Sequence, residues 1–380
     1  MKIGTQIVQH RVAMAPLTRM RSPSHVSGPD MASYYSQRSS GGLIVTEATF
    51  IAEEAAGYPS APGIYNAQQV DQWRDIVRGV HEKSSVVYCQ LWALGRANVG
   101  GEPGVKTVSS STIPLKEASN GDALQMGLED IKRYMQHYRQ AAKNAIDAGN
   151  FNLRIGFDGV EVHGAHGYLV DQFLQSSSNS TRNDEYGGSL ENRARFLLEA
   201  MQNVVDVVGE ERAAIRISPF SPFQDMGQES DPFETWGYVC QQLKTRFPKL
   251  AYISVTDPRL GADGAGDDMS KVYSVDKLRA VFRGVDPSTI SKLHSESTTV
   301  FSDPTPEHPT VFLSAGGYTA SEAEPSSERT GDLIGIVLSN SRIRTSLYCK
   351  SRLAKTVAIW TGIESIRSIY FLHSRSCWFD

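Results

Sequence analysis

The sequence has no run approaching the roughly 18 apolar residues needed to span a bilayer, and its first residues, MKIGTQIVQHR, lack the apolar core of a secretory signal. Both absences point to a soluble, cytoplasmic protein without membrane partners. Cysteine is scarce: Cys89, Cys240, Cys349 and Cys377 lie far apart and form no CxxC pair, so neither a disulfide framework nor a zinc knuckle is expected. Charge is not in excess either. With 38 basic against 42 acidic residues the net charge is -4, which gives no electrostatic case for nucleic acid or an anionic membrane surface. No tandem repeat at a period of about 20 to 50 residues is visible, which argues against a solenoid. A doubly wound dinucleotide fold would carry a GxGxxG turn after its first strand, and here that strand runs into Pro16-Leu17-Thr18.

What the 380 residues do contain is an ordinary globular composition, 40% hydrophobic and 21% charged with 32 Gly, enough for a sizeable core. At about 150 residues per domain the length suggests two or three domains, although an α/β barrel of about 250 residues or more counts as one. Short apolar, β-branched runs occur at 11–15, 43–46, 86–91, 159–163, 214–218, 251–255 and 311–315, with a weaker eighth at 333–338. Between most of them, 71–83, 128–148, 190–208, 232–246 and 274–282 place apolar residues at the mixed three and four spacings of amphipathic helices. Strand-helix alternation implies parallel pairing, and about eight such units predict a single (β/α)8 TIM barrel whose eighth unit is the least defined. Chemistry in such a barrel belongs at the C-terminal ends of the strands.

The fourth strand end is the richest, reading FDGVEVHGAHGYLVDQFL. His163 closes the strand, His166 follows a Gly-Ala turn, and Tyr168 comes just before a helix. Two imidazoles so placed can hold a metal, donate hydrogen bonds to one oxygen, or cap the strand. No Cys or further His is near enough in sequence to complete a metal site, so no metal is expected. Paired donors converging on a carbonyl oxygen would stabilise negative charge developing there, with Tyr168 placed to supply a proton.

This string resembles the Old Yellow Enzyme family of flavin-dependent ene-reductases, including the plant oxophytodienoate reductases with their HxxH motif. Other segments agree in order: HRVAMAPLTRMRS, LIVTEAT, VVYCQLWALGR, NDEYGGSLENRARFLLE, IRISPF, YISVTDPR and FLSAGGYT. The likeness runs over roughly residues 2–335, so 1–335 is expected to form the FMN-binding barrel, with 336–380 a divergent tail.

The resemblance implies FMN at the barrel mouth. Pro16, Leu17 and Thr18 would line the isoalloxazine, Ala48 would give it room, and Gln90 would bond its pyrimidine edge. Arg216 would place a fixed positive charge beside the N1/O2 region, and a charged residue inside the apolar run AIRIS suits a lined pocket better than a surface ion pair. Gly316-Gly317 would offer backbone N–H groups to the phosphate; without the family likeness the pair is only a turn. The implied reaction has two halves: NADPH reduces FMN, then flavin N5 passes hydride to the β-carbon of an α,β-unsaturated aldehyde or ketone. His163 and His166 would bind the substrate carbonyl and Tyr168 would protonate the α-carbon. Tyr58 and Trp92 match the family's substrate pocket and equally suit ordinary core aromatics. The family implies a monomer or homodimer. A non-catalytic, decayed barrel that no longer retains FMN and a flavoprotein isomerase of an unsaturated aldehyde are the alternatives, Tyr168 favouring net reduction over the second.

Four departures qualify the likeness. About ten family residues before KIG are absent, which predicts a less covered barrel bottom; NFNLRIG lengthens the approach to the fourth strand; and residues 286–309, rich in Ser, Thr and Pro, read as a surface loop. After GDLIG the family carries a Gly-Arg pair that grips the phosphate, and here none follows. One choice of codons turns 340–347 into FSNPDLP and 363–372 into LNPYDRSTFY, both family-like, in two different shifted frames. A frameshifted tail is therefore expected, which transcript sequencing decides. Loss of that Arg predicts FMN binding weaker by about one to two powers of ten, and loss of the eighth unit predicts an exposed barrel edge.

Overall fold

The computed structural model describes residues 1–98, 106–116, 123–147, 156–227, 231–259, 273–290 and 300–336. Eight strands carry the fold: β1 (Val12–Met14), β2 (Leu43–Val45), β3 (Val86–Trp92), β4 (Gly159–Gly164), β5 (Ala213–Ile217), β6 (Tyr252–Thr256), β7 (Val311–Ala315) and β8 (Leu333–Ile336). Each pairs in parallel with its sequence neighbours, and β8 pairs with both β7 and β1, so the sheet closes on itself. The weak eighth run is thus a strand. Among the described strands no barrel edge is left open, contrary to the expectation, because closure needs only β8; whatever follows it lies outside the described residues. These strands fall within one compact unit, Met1–Val337.

Helices cover the outside: α1 (Pro29–Arg38), α2 (Ala67–His81), α3 (Leu128–Asp147), α4 (Leu169–Leu174), α5 (Leu190–Val208), α6 (Pro232–Arg246), α7 (Asp276–Arg283) and α8 (Ala320–Thr330). Their starts are written locally. Asn66 and Gln69 make a capping box on α2, Thr319 and Glu322 another on α8, and Asp231 caps α6 just ahead of Pro232.

Strand parity decides what fills the barrel. Ala13, Leu43, Val45, Tyr88, Ala214, Tyr252, Leu313 and Leu333 point inward and form one apolar cluster in its lower part. Gly159 starts β4 because a Cβ there would lie 2.2 Å from the Tyr88 ring. The bottom is not left bare: Lys2–Ile3 and Gln6–Ile7 pair as a short hairpin, and Ile3 and Val8 join the cluster.

The described part of 286–309 is more than a surface loop. Phe301 is buried against Ala280 and Ile290, and Asp303 takes a two-pronged ion pair from Arg11 at 2.8 and 2.7 Å. Most of NFNLRIG and nearly all of 336–380, with Cys349 and Cys377, lie outside the described residues; Cys89 and Cys240 are buried free thiols.

Candidate active site at the barrel mouth

Above the apolar cluster, the same inward parity delivers polar residues. Register places Gln90 opposite Glu161, His163 opposite Arg216, and Arg216 opposite Ser254. Trp92 and Thr256 continue these rows toward the mouth.

The turn after β4 is tightly built. His166 adopts φ +59° and Gly167 φ +72°, a left-handed pair that a non-glycine residue tolerates only when its surroundings fix it. They do: the Ser218 hydroxyl accepts the His166 N–H at 2.7 Å, and buried Asp171 accepts the Gly167 N–H at 2.9 Å. Tyr168 then stands at the N-cap of α4.

The two imidazoles are buried, with ring centroids 6.0 Å apart. Burial, then the Arg216 charge, lowers the His163 pKa to about 3 and pushes His166 well below its ordinary value. Both rings are therefore neutral near pH 7. The Ala165 N–H donates to His163 Nδ1 at 3.4 Å, which leaves the proton on Nε2. Thr256 Oγ1 lies 3.4 Å from His166 Nε2, while His166 Nδ1 has no partner among the described residues. With Thr256 donating to Nε2, the Nδ1–H remains for a ligand.

Tyr168 packs edge-on to His163 at 5.0 Å and to Trp92 at 4.9 Å, and Tyr58 meets Trp92 at 5.2 Å. Trp92 is buried and Tyr58 half-buried, so one aromatic cluster is both core and pocket wall. Burial, then Tyr58, raises the Tyr168 phenol well above its ordinary value, so it keeps its proton. The Gln224 side-chain amide is buried and acts on the Tyr168 phenol, and its main-chain carbonyl accepts from Arg96 at 3.0 Å.

The residues matched to FMN lie around this mouth. Pro16 and Leu17 are half-buried and Thr18 exposed just beyond β1; Ala48 is buried past the end of β2. Gln90 is buried in the floor, Arg216 is half-buried with Nε lacking a partner among the described residues, and Gly316 and Gly317 follow β7 with φ +137° and +71°. A Cβ on Gly316 would sit 2.9 Å from the Asp257 carbonyl, so the bend there requires glycine. An unpaired guanidinium N–H, an amide in the floor, a small residue at Ala48 and a left-handed glycine pair fit a flavin nucleotide.

Sequence reasoning missed Glu161, Ser218, Thr256, Asp171 and Gln224. For Glu161 the signal was present: a charge inside an apolar strand, the same signal that singled out Arg216.

Fold and mouth together define a (β/α)8 flavin oxidoreductase. The chain matches the family described as NADH:flavin oxidoreductase / NADH oxidase over residues 1–285. The 12-oxophytodienoate reductase 7 of Oryza sativa subsp. japonica is 42% identical over 302 residues, 73% of this chain and 74% of its own. Among solved structures, Old Yellow Enzyme from Pichia sp. AKU4542 aligns with a TM-score of 0.72 at 32% identity, covering 96% of this chain and 86% of that one. Morphinone reductase in complex with tetrahydroNAD aligns with a TM-score of 0.71 at 30% identity, covering 88% and 85%. The chain belongs to this family of FMN-dependent oxidoreductases, the Old Yellow Enzyme family.

Proposed function

We propose that this chain is an ene-reductase that uses NADPH to reduce the activated double bond of an α,β-unsaturated aldehyde or ketone. The observation that carries the reading is the pair of buried, neutral imidazoles beside a protonated tyrosine at the barrel mouth. Bound FMN supplies the two-electron chemistry between the nicotinamide and the alkene. Pro16, Leu17, Thr18, Ala48, Gln90 and Arg216 would hold its ring system, and Gly316 and Gly317 its phosphate.

The chain's own part is polarisation and proton delivery. His163 Nε2–H and His166 Nδ1–H bind one carbonyl oxygen and draw electron density from the double bond; each such donor contributes about 3 kcal/mol. Because neither ring is protonated, both act as hydrogen-bond donors and not as acids. Tyr168 gives its phenolic proton to the α-carbon. Its high pKa keeps that proton available across the physiological range. Tyr58 and Trp92 wall the pocket and restrict which enones enter.

Purified protein supplied with FMN should be yellow, bleach with NADPH and recolour with an unsaturated ketone. A protein that stays colourless after FMN addition sinks the reading and leaves a barrel that no longer retains flavin. Gel filtration separates monomer from homodimer.

A further inference from the structure

The middle layer of the barrel interior holds a carboxylate for which neither substrate binding nor proton delivery has a use. Glu161 is fully buried at the centre of β4, and strand register fixes its neighbours on both sides. Gln90 stands opposite on β3. On β5 Ala214 stands opposite, and Arg216 is the next inward-pointing residue. Glu161 Oε1 accepts from Gln90 Nε2 at 2.7 Å. In this layer Arg216 Nε has no hydrogen-bond partner among the described residues, and the Tyr252 hydroxyl faces the Glu161 carboxylate, which raises the phenol's pKa. A carboxylate this deep costs more to bury than an apolar residue of the same size, so packing does not explain it.

We propose that Glu161 is a positioning residue of the flavin floor, locking the Gln90 amide in one orientation and partly cancelling the Arg216 charge that bound FMN feels. This rests on the FMN reading above. Gln90 offers two N–H donors and one carbonyl, and a flipped amide would set that carbonyl against the carboxylate oxygen. With one N–H committed downward, the second N–H and the carbonyl remain for the pyrimidine edge of the flavin. Reduction adds negative charge to the flavin, which a neighbouring cation favours and a neighbouring anion opposes. Burial raises the Glu161 pKa and Arg216 draws it only partly back; on Arg216 burial lowers the value and Glu161 only partly restores it. The two charges thus oppose each other within one low-dielectric layer, and Glu161 sets how much of Arg216 the cofactor experiences.

The test uses the FMN-loaded full chain. E161Q keeps the size and an acceptor toward Gln90 but removes the charge, so the midpoint potential, read against a reference dye, should move positive with FMN still bound. E161D keeps the charge and withdraws it from Gln90, so the potential should stay near wild type while FMN binding, read by flavin fluorescence quenching, weakens about tenfold. An unchanged potential in E161Q overturns the proposal, as does an equal shift in E161D, because a merely structural carboxylate would change melting temperature without separating the two variants. Should E161Q not fold, Glu161→Met removes the same charge and must give the same positive shift. If wild type binds FMN and the potential does not respond, this proposal alone falls; if wild type takes up no FMN, the functional reading falls and takes the proposal with it.

Discussion

Arg216 stands directly opposite His163 in the parallel register of β5 and β4, so a permanent cation neighbours the imidazole proposed to bind the substrate. Burial contributes most to the low His163 pKa of about 3 and Arg216 next, and both act on His166 in the same order. NMR of the two rings should therefore show no protonation between pH 8 and pH 5. Arg216→Met should move the His163 titration upward but leave it below the unperturbed value of about 6.5, because burial, the larger cause, remains. The stability consequence has a definite sign. In the unfolded chain each ring binds a proton near pH 6.5 that the folded chain refuses, so these groups destabilise the fold as pH falls from about 6.5 toward 3. A Tm series should show this loss, and His163→Phe should lessen it. A ring that titrates above pH 5 in wild type would contradict the placement.

The strands and most helices were legible because each strand is a short apolar run, buried on both faces. The site was only half legible, for a reason of parity. In the upper barrel the alternation of Val160, Glu161, Val162 and His163 looks like a surface strand with a wet face, yet all four are buried. The polar face turns into the barrel and the apolar face packs under helices, so alternation alone assigned Glu161 no role. His163, His166 and Tyr168 stood out only because the motif around them is distinctive. Phe301 was missed because a single aromatic in a Ser, Thr and Pro-rich stretch gives no periodicity to read.

Tyr168 is the residue whose removal separates the two halves of the proposed reaction. Tyr168→Phe keeps the packing against Trp92 and His163 and deletes only the proton. Alkene reduction should slow by about 10²–10⁴, the contribution of a positioned acid, while flavin reduction by NADPH stays within about twofold. Stopped-flow absorbance at the flavin band measures each half alone. Equal loss in both halves would remove Tyr168 from proton delivery.

The phosphate end of the proposed FMN site rests on Gly316 and Gly317 without the family's Gly-Arg pair after GDLIG. A bidentate guanidinium–phosphate contact contributes about 1.5–3 kcal/mol, so its loss should leave FMN only slightly preferred over riboflavin. Fluorescence quenching titrations with both flavins should give dissociation constants within about tenfold of each other. A preference for FMN above about a thousandfold would mean that another cation grips the phosphate.

A buried polar strut lies against β8 where the barrel closes. Arg279, on α7 and almost inaccessible, donates to Asp332 through Nε at 3.0 Å and Nη2 at 2.8 Å, to the Ser314 hydroxyl at 3.1 Å, and also to Asp276. Asp332 immediately precedes β8 and accepts from the Ser314 hydroxyl of β7 at 2.7 Å, so one carboxylate ties α7, β7 and β8 together. Removing it strands a buried guanidinium with less than its charge compensated. Asp332→Ala should therefore cost about 3–5 kcal/mol, against about 1 kcal/mol for Ser314→Ala, which removes a neutral hydroxyl from the same cluster. Urea unfolding of the full chain, followed by tryptophan fluorescence, measures both. If Asp332→Ala costs no more than Ser314→Ala, β8 is held by its backbone ladder to β7 and β1 and the strut is incidental. The larger loss would mean that the last strand is fixed by charges lying before it in the chain, which is why the barrel can close here with a tail that departs from the family's sequence.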